Sequence, residues 1–387
     1  MLMLGGKLVT VQTEDCTDKT RELWSVSENA RLPQVLRTKK AYLVRGKTIP
    51  EGFAHYLILP PYDGIEGRLP VGAAYTFLPD DYRYLGEGDV IRLSKDAIRV
   101  LFRATANHNS FLVTEQCNNY CLMCSQPPKR HDDRWLVDEI KSLIPLIPRG
   151  TSEIGFTGGE PTLFGDEFLA LIRLAKSLLP STAIHVLSNG RRFADMEFAE
   201  KWATIGHNDL MVGIPVYSDD PATHDYVVQT KGAFDETILG ILNLKRLGQK
   251  VEVRVVIHKQ TIGRLPKLAQ FIARNLLFVD HVALMGLEMT GFTLANLDEL
   301  WIDPADYRDD LSEAVSILRD YGITTSVYNH PLCLVNRDIG DAYRKSISDW
   351  KNEFAPECGP CQRKADCGGF FSSGIRYGYS QSLTPFL

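Results

Sequence analysis

The chain has 387 residues, 44% of them hydrophobic and 24% charged, with a formal net charge of −5. This is the balance of an ordinary globular protein, and it lacks the basic stripe of a dedicated nucleic-acid binder. No apolar run reaches the roughly 18 residues needed to span a bilayer, and the opening MLMLGGKLVTVQTEDC does not read as a signal peptide, so no membrane association and a cytoplasmic location with reduced thiols are expected.

Residues 1–105 read as a β-rich domain. LVTVQ, KAYLVRG, YLILPP and DVIRL are short apolar or alternating runs separated by Gly, Pro and Asp. LGEGDVI has two glycines but not the third of a dinucleotide fingerprint, and it reads as a turn. Nothing in this domain looks chemical; recognition of a peptide or partner is the role left to it. Cys16, its lone cysteine, reads as a small core or surface residue.

From residue 106 to 321 short apolar runs alternate with amphipathic helical stretches. SFLVTE precedes RWLVDEIKSLIPLI, EIGFTGG precedes EFLALIRLAKSLL, and AIHVLSNG precedes FADMEFAEKWA. LMVGIPVYS, VEVRVVIH and HVALMGLEM open three more such units, making six in all. This alternation predicts an α/β fold with a parallel sheet covered by helices. Periodicity leaves an open sheet and a curved barrel both in play, but in either one ligands collect at the C-terminal strand ends. The loops there carry the cysteine run, FTGGEPT, LSNG, VYSDDPATHD and GLEMTG, all on one rim. From 322 to 387 the alternation stops, and the chain becomes loop-rich with four cysteines.

Seven of the eight cysteines fall in two clusters. Cys117, Cys121 and Cys124, spaced C-x3-C-x2-C, can hold three corners of a cubane cluster and leave its fourth iron open. Soft thiolates suit Fe–S or zinc, and a structural zinc loop completed by His131 is the alternative. Cys333, Cys358, Cys361 and Cys367 offer four thiols, enough for a zinc site or a closed [4Fe–4S] cluster; spacing alone does not choose. A metal there would staple a segment with little apolar material of its own.

C-x3-C-x2-C after the first strand of a βα series, with GGEP after the second, resembles the radical S-adenosylmethionine (SAM) enzymes over about residues 108–300. The resemblance implies a partial (β/α)6 TIM-like barrel and a [4Fe–4S] cluster on Cys117, Cys121 and Cys124. Its open iron would be chelated by SAM, and reductive cleavage would yield a 5′-deoxyadenosyl radical that abstracts a substrate hydrogen. It also implies oxygen sensitivity and a flavodoxin- or ferredoxin-type reductant. Met123 stands where the family has an aromatic residue near the adenine; its thioether can pack on that face. Gly158 and Gly159, with Glu160 and Pro161, resemble the segment that meets the SAM amino group, though GGEP alone also reads as a strand–helix turn. Ser188 and Asn189 resemble the ribose-side TNG segment, or an Asn-Gly turn. Arg254, flanked by β-branched residues on a buried strand, needs a partner: the SAM carboxylate, or an acidic side chain at the rim. Asp219, Asp220, His224 and Asp225 resemble the family's SxDGxxxxHD stretch, but Tyr217 replaces the usual Ser. Glu288 faces either the active site or the surface.

C-x2-C-x5-C-G-G resembles the auxiliary-cluster extensions called SPASM and twitch. Phe371 occupies the place of a further SPASM cysteine, so one auxiliary [4Fe–4S] cluster is expected. EQCNNYCLMCSQPP, LMGLEMTG, SISDWKNEF and CGPCQRKADCGGFFSSG together resemble the His-Xaa-Ser system radical SAM maturases (the HxsC family). That implies a precursor peptide with His-Xaa-Ser repeats and a sister radical SAM protein. The alternatives are radical SAM chemistry on a small molecule or a protein residue, or a non-catalytic metal-bound partner of a sister maturase. No G-x-S-x-G elbow or HExxH supports a hydrolase.

Overall fold

The computed structural model describes residues 4–8, 10–12, 22–46, 49–345 and 352–387. Cys16 and most of SISDWKNEF lie outside the described residues. The chain divides into two compact units, one formed by residues 1–109, 138–152 and 174–182, the other by 110–137, 153–173 and 183–387.

The first unit carries an eight-stranded sheet. Its strands are β1 (Gly5–Lys7), β2 (Thr10–Gln12), β3 (Glu22–Ser27), β4 (Lys40–Val44), β5 (His55–Ile58), β6 (Tyr75–Phe77), β7 (Val90–Leu93) and β8 (Ala97–Phe102), in the order β1-β8-β7-β3-β4-β5-β6-β2. The sheet is mixed: β3 to β6 run parallel, and the flanking pairs are antiparallel. Successive side chains of a strand face opposite sides, and here both sides are apolar. Ala41, Leu43 and Leu57 join one buried cluster, whereas Tyr42, Val44, Tyr56 and Ile58 join the other. That two-sided burial explains why KAYLV and HYLI read as continuous apolar runs rather than alternating ones.

The second unit is a seven-stranded sheet of β9 (Ser110–Thr114), β10 (Glu153–Gly158), β11 (Ala183–Leu187), β12 (Leu210–Pro215), β13 (Lys250–Ile257), β14 (His281–Gly286) and β15 (Thr325–Tyr328). All neighbours are parallel and consecutive in the chain. Such an order winds one way, as in an open (β/α) barrel, without the reversal of a doubly wound sheet. The connections carry the expected helices, among them Trp135–Leu143, Gly165–Leu178, Ala233–Arg246, Leu265–Asn275 and Arg308–Asp320.

β15 departs from the sequence reading, which ended the alternation at residue 322. Thr325–Tyr328 is a seventh parallel strand, paired to β14 from Val282↔Thr325 to Met285↔Tyr328. Four residues of mixed polarity give no periodic signal; the strand exists because β14 offers it an edge.

Candidate active site and a second cysteine site

The two glycines of GGEP fix how the cysteine loop leaves β9. Pairing of β9 with β10 shifts register between Thr157 and Gly158, a bulge that re-aims the strand end. A Cβ on Gly159 would lie 2.1 Å from the Gln116 carbonyl oxygen, and one on Gly158 would lie 2.5 Å from that of Thr114. The missing side chains let the cysteine loop pack directly on β10. Gly159 and Glu160 then donate their N–H groups to the Thr114 and Gln116 carbonyls, each at 2.8 Å.

Asp133, fully buried, holds the loop from its far end. It accepts from the Thr114 hydroxyl (3.0 Å), the Gln116 side-chain amide (3.0 Å) and the Glu115 N–H. Two helices, Pro221–Val228 and Phe292–Ala295, hold the middle. Tyr120 and Leu122 donate to the Val228 and Val227 carbonyls, Phe292 donates to the Cys124 carbonyl, and the Thr293 hydroxyl donates to that of Met123.

So fixed, Cys117, Cys121, Met123 and Cys124 line one cleft of about 1030 Å³ with Gly158, Gly159, Ser188, Asn189, Tyr217 and Arg254. The ends of five strands, β9 to β13, converge there. Burial, first of all, raises the thiol pKa of all three cysteines, Cys117 to about 11, and the neighbouring sulfurs of Cys117 and Cys124 push Cys121 further up. Three free thiols are thus gathered where a thiolate is stable only against positive charge, which a metal centre provides. The donor set fits such a centre.

Glu160 and Pro161 do not line the cleft. The Glu160 carboxylate is fully buried and accepts from the Thr162 N–H, the Thr162 and Ser188 hydroxyls and the Asn189 N–H. It ties the turn after β10 to the turn after β11. Asn189 donates from its side chain to Asn118 Oδ1 at 2.6 Å, so the LSNG turn also braces the cysteine loop.

Arg254 lines the cleft and also has an acidic partner. Its guanidinium meets Glu252 Oε1 at 2.6 Å, two residues earlier on β13, and Met285 Sδ at 3.1 Å. Glu252 bonds His281 Nδ1 at 2.7 Å, and His281 Nε2 meets the Ser326 hydroxyl at 2.9 Å. Burial alone would raise the Glu252 pKa, yet the His281 hydrogen bond and the Arg254 charge hold it down at about 2.

The SxDG-like stretch is mostly occupied in building its own loop. Asp219 forms a two-pronged pair with Arg264 (2.8 and 2.7 Å), and Asp220 caps the helix Pro221–Val228. Asp225 accepts from the Gly232 and Phe234 N–H groups, and His224 Nδ1 accepts the Tyr217 N–H. Tyr217 itself reaches the cleft and packs with Met123. His131 pairs with Glu115 at 3.2 Å. Glu288 is partly buried and lines none of the clefts described here.

Cys333, Cys358, Cys361 and Cys367 come together around a second, smaller hollow of about 380 Å³. Leu332, Phe354, Phe370, Leu383, Pro385 and Phe386 enclose it. The N–H groups of Leu332 and Gly369 donate to Cys367 Sγ at 3.2 and 3.3 Å. Burial raises the Cys333 and Cys358 thiols. Four free thiols in an apolar shell again fit a thiolate-bound metal.

A cysteine triad at the rim of an open parallel sheet, beside a glycine-floored cleft, fits the site of a metal-binding enzyme. Residues 111–272 match the radical SAM superfamily model. A Fe-coproporphyrin III synthase of Methanosarcina barkeri is 30% identical over 159 residues, 40% of this chain and 38% of that protein. A GTP 3′,8-cyclase of Haemophilus ducreyi is 32% identical over 189 residues, 46% of this chain and 54% of that protein. The chain therefore spans about half the length, or less, of these curated relatives. A solved structure described as native anSMEcpe with bound AdoMet and Cp18Cys peptide matches with a TM-score of 0.50 at 15% identity, covering 72% of this chain and 91% of that one. That likeness extends the shared fold beyond the segment matched by sequence.

Proposed function

We propose that the chain is a radical SAM maturase acting on a ribosomally made precursor peptide of the His-Xaa-Ser type. The observation that carries the reading is the convergence of two separate thiolate sets within one barrel unit, three cysteines at the rim and four in the extension. In this reading Cys117, Cys121 and Cys124 hold a [4Fe–4S] cluster. Gly158, Gly159, Ser188, Asn189, Arg254 and Met123 receive SAM, and the four later cysteines hold one auxiliary [4Fe–4S] cluster. Bound there, cluster and SAM would supply one-electron cleavage of a C–S bond and a 5′-deoxyadenosyl radical able to abstract hydrogen.

What the chain contributes is placement. Met123 and Tyr217 form an apolar wall against which an adenine can pack. Arg254, held by Glu252, presents positive charge at the cleft for a carboxylate. Glu160 keeps Ser188 and Asn189 in place from behind. The mostly apolar lining around the second cysteine set limits solvent access and would tune the potential of a bound cluster. The first unit is assigned to recognition of the peptide or of a sister protein. No helix among the described residues is long and apolar enough to cross a membrane.

The test is anaerobic incubation of reconstituted protein with SAM, a low-potential reductant and His-Xaa-Ser peptide. Formation of 5′-deoxyadenosine with a mass change in the peptide supports the reading. 5′-Deoxyadenosine formed with no peptide effect favours a small-molecule substrate, and none at all contradicts both.

A further inference from the structure

A second cleft in the barrel unit has not been given a role. Its inner part lies between the ends of β14 and β15, at Gly286 and Asn329, and the 368–380 segment. It opens into an outer trough, and Met289, Trp301, Ile302, Gly378 and Tyr379 line both. The two adjoin along these shared residues.

Its position relates it to both cysteine sites. Gly369 and Phe370 line the inner cleft and the four-cysteine hollow alike. On the other side, the segment that supplies Met289 and Trp301 also supplies Phe292 and Thr293, whose donors hold the Cys124 and Met123 carbonyls.

Its chemistry is uneven along its length. In the inner part Asn352 Oδ1 and Ser373 Oγ are buried with no hydrogen-bond partner among the described residues. A buried acceptor left unmade is costly, and both atoms suit the N–H groups of an extended main chain. Midway, Trp301, Phe371 and Tyr379 provide aromatic surface. Among the described residues, the outer trough carries Asp298, Asp303 and Asp306 against one cation, Lys259, and Lys345 is the one charged residue lining the inner part. Asp303 is engaged in capping Ala305; Asp298 and Asp306 are exposed. The excess negative charge repels phosphate-bearing ligands. With the aromatic faces, it attracts Lys and Arg side chains.

We propose that this channel holds an extended, positively charged stretch of peptide, its main chain against Asn352 and Ser373 and its cationic side chains over Trp301 toward Asp298 and Asp306. The proposal rests on the peptide-maturase reading and names the class of peptide selected.

The test uses the reconstituted full chain and two fluorescent twelve-residue peptides that differ only in carrying four Lys or four Glu, followed by anisotropy. The Lys peptide is expected to bind at least about tenfold tighter at low salt, with the gap closing as ionic strength rises. D298N/D306N should weaken it about tenfold, whereas E197Q/E200Q, which removes the same charge from the helix Met196–Ala203, should leave it unchanged. Trp301→Ala should weaken it, and Trp301→Phe should restore most of the loss. Equal binding of the two peptides, or equal effects of the two charge variants, overturns the channel while leaving the peptide reading in place. Binding of neither peptide also overturns it; peptide-stimulated SAM cleavage in the same preparation then tells whether the maturase reading survives.

Discussion

The buried carboxylate of Glu160 accepts the backbone N–H of Asn189 at 2.6 Å, across 29 residues of sequence. Through that bond, the turn after the second barrel strand sets the position of the turn after the third. The same carboxylate takes the Ser188 hydroxyl and two donors of Thr162. Glu160→Gln offers one oxygen where two are used and turns an NH₂ toward existing donors. It should cost about 2–3 kcal/mol in urea unfolding and weaken SAM binding measured by calorimetry. Unchanged SAM affinity in a folded variant would contradict the bracing role.

Gly159→Ala tests the seat of the cysteine loop. The added methyl would meet the Gln116 carbonyl oxygen at 2.1 Å and Cys117 Cβ at 3.0 Å, so the loop must shift. Overpacking of this kind costs about 1–3 kcal/mol, and iron retained by the rim site should fall with it. Gly150→Ala, where an added Cβ meets nothing within 4 Å, serves as the control in thermal melts and iron assays.

Asp133→Ala removes the acceptor for three donors at the start of the loop. The rim site should lose most of its iron after reconstitution, while the four-cysteine site keeps its metal. Loss at both sites would mean general unfolding, which circular dichroism would reveal.

Glu252 gives the chain an acid-dependent stability term. Its folded pKa is about 2 against an ordinary 4.5, so its contribution is present above pH 4.5 and is lost as pH falls toward 2. The size is about 3 kcal/mol at neutral pH. The gap in unfolding free energy between the native chain and Glu252→Gln should be full at pH 7 and should narrow between pH 4.5 and 2. A gap constant with pH would contradict the charged pairing with Arg254 and His281.

Much of the site was legible because its signals are local. The spacing of Cys117, Cys121 and Cys124 lies within eight residues, and GGEP and LSNG announce themselves beside apolar runs. The rim rule then places them together; Gly158, Gly159, Ser188 and Asn189 share the cleft with the three cysteines, and Glu160 and Pro161 do not line it. What holds these residues was not legible, because it comes from afar. Asp133 serves Thr114 across 19 residues, Asn118 meets Asn189 across 71, and Thr293 reaches Met123 across 170. Gly158 and Gly159 resemble a SAM-contacting segment, yet backbone of the cysteine loop occupies the space their side chains would fill. Tyr217, read as a departure from a motif, proves to line the cleft. β15 was missed because four mixed residues carry no period, and the parallel pairing of β3 to β6 because short runs between turns do not reveal strand direction.

The central claim is that two thiolate sets each hold a cluster, one of them open to SAM. Iron and sulfide content after anaerobic reconstitution, in the native chain and in a Cys117/Cys121/Cys124→Ala variant, tests it most directly. Two cubanes give about eight irons per chain, falling to about four without the triad. About four irons falling to near zero, with zinc retained, would make the second site structural, and no iron in either protein would contradict the claim altogether.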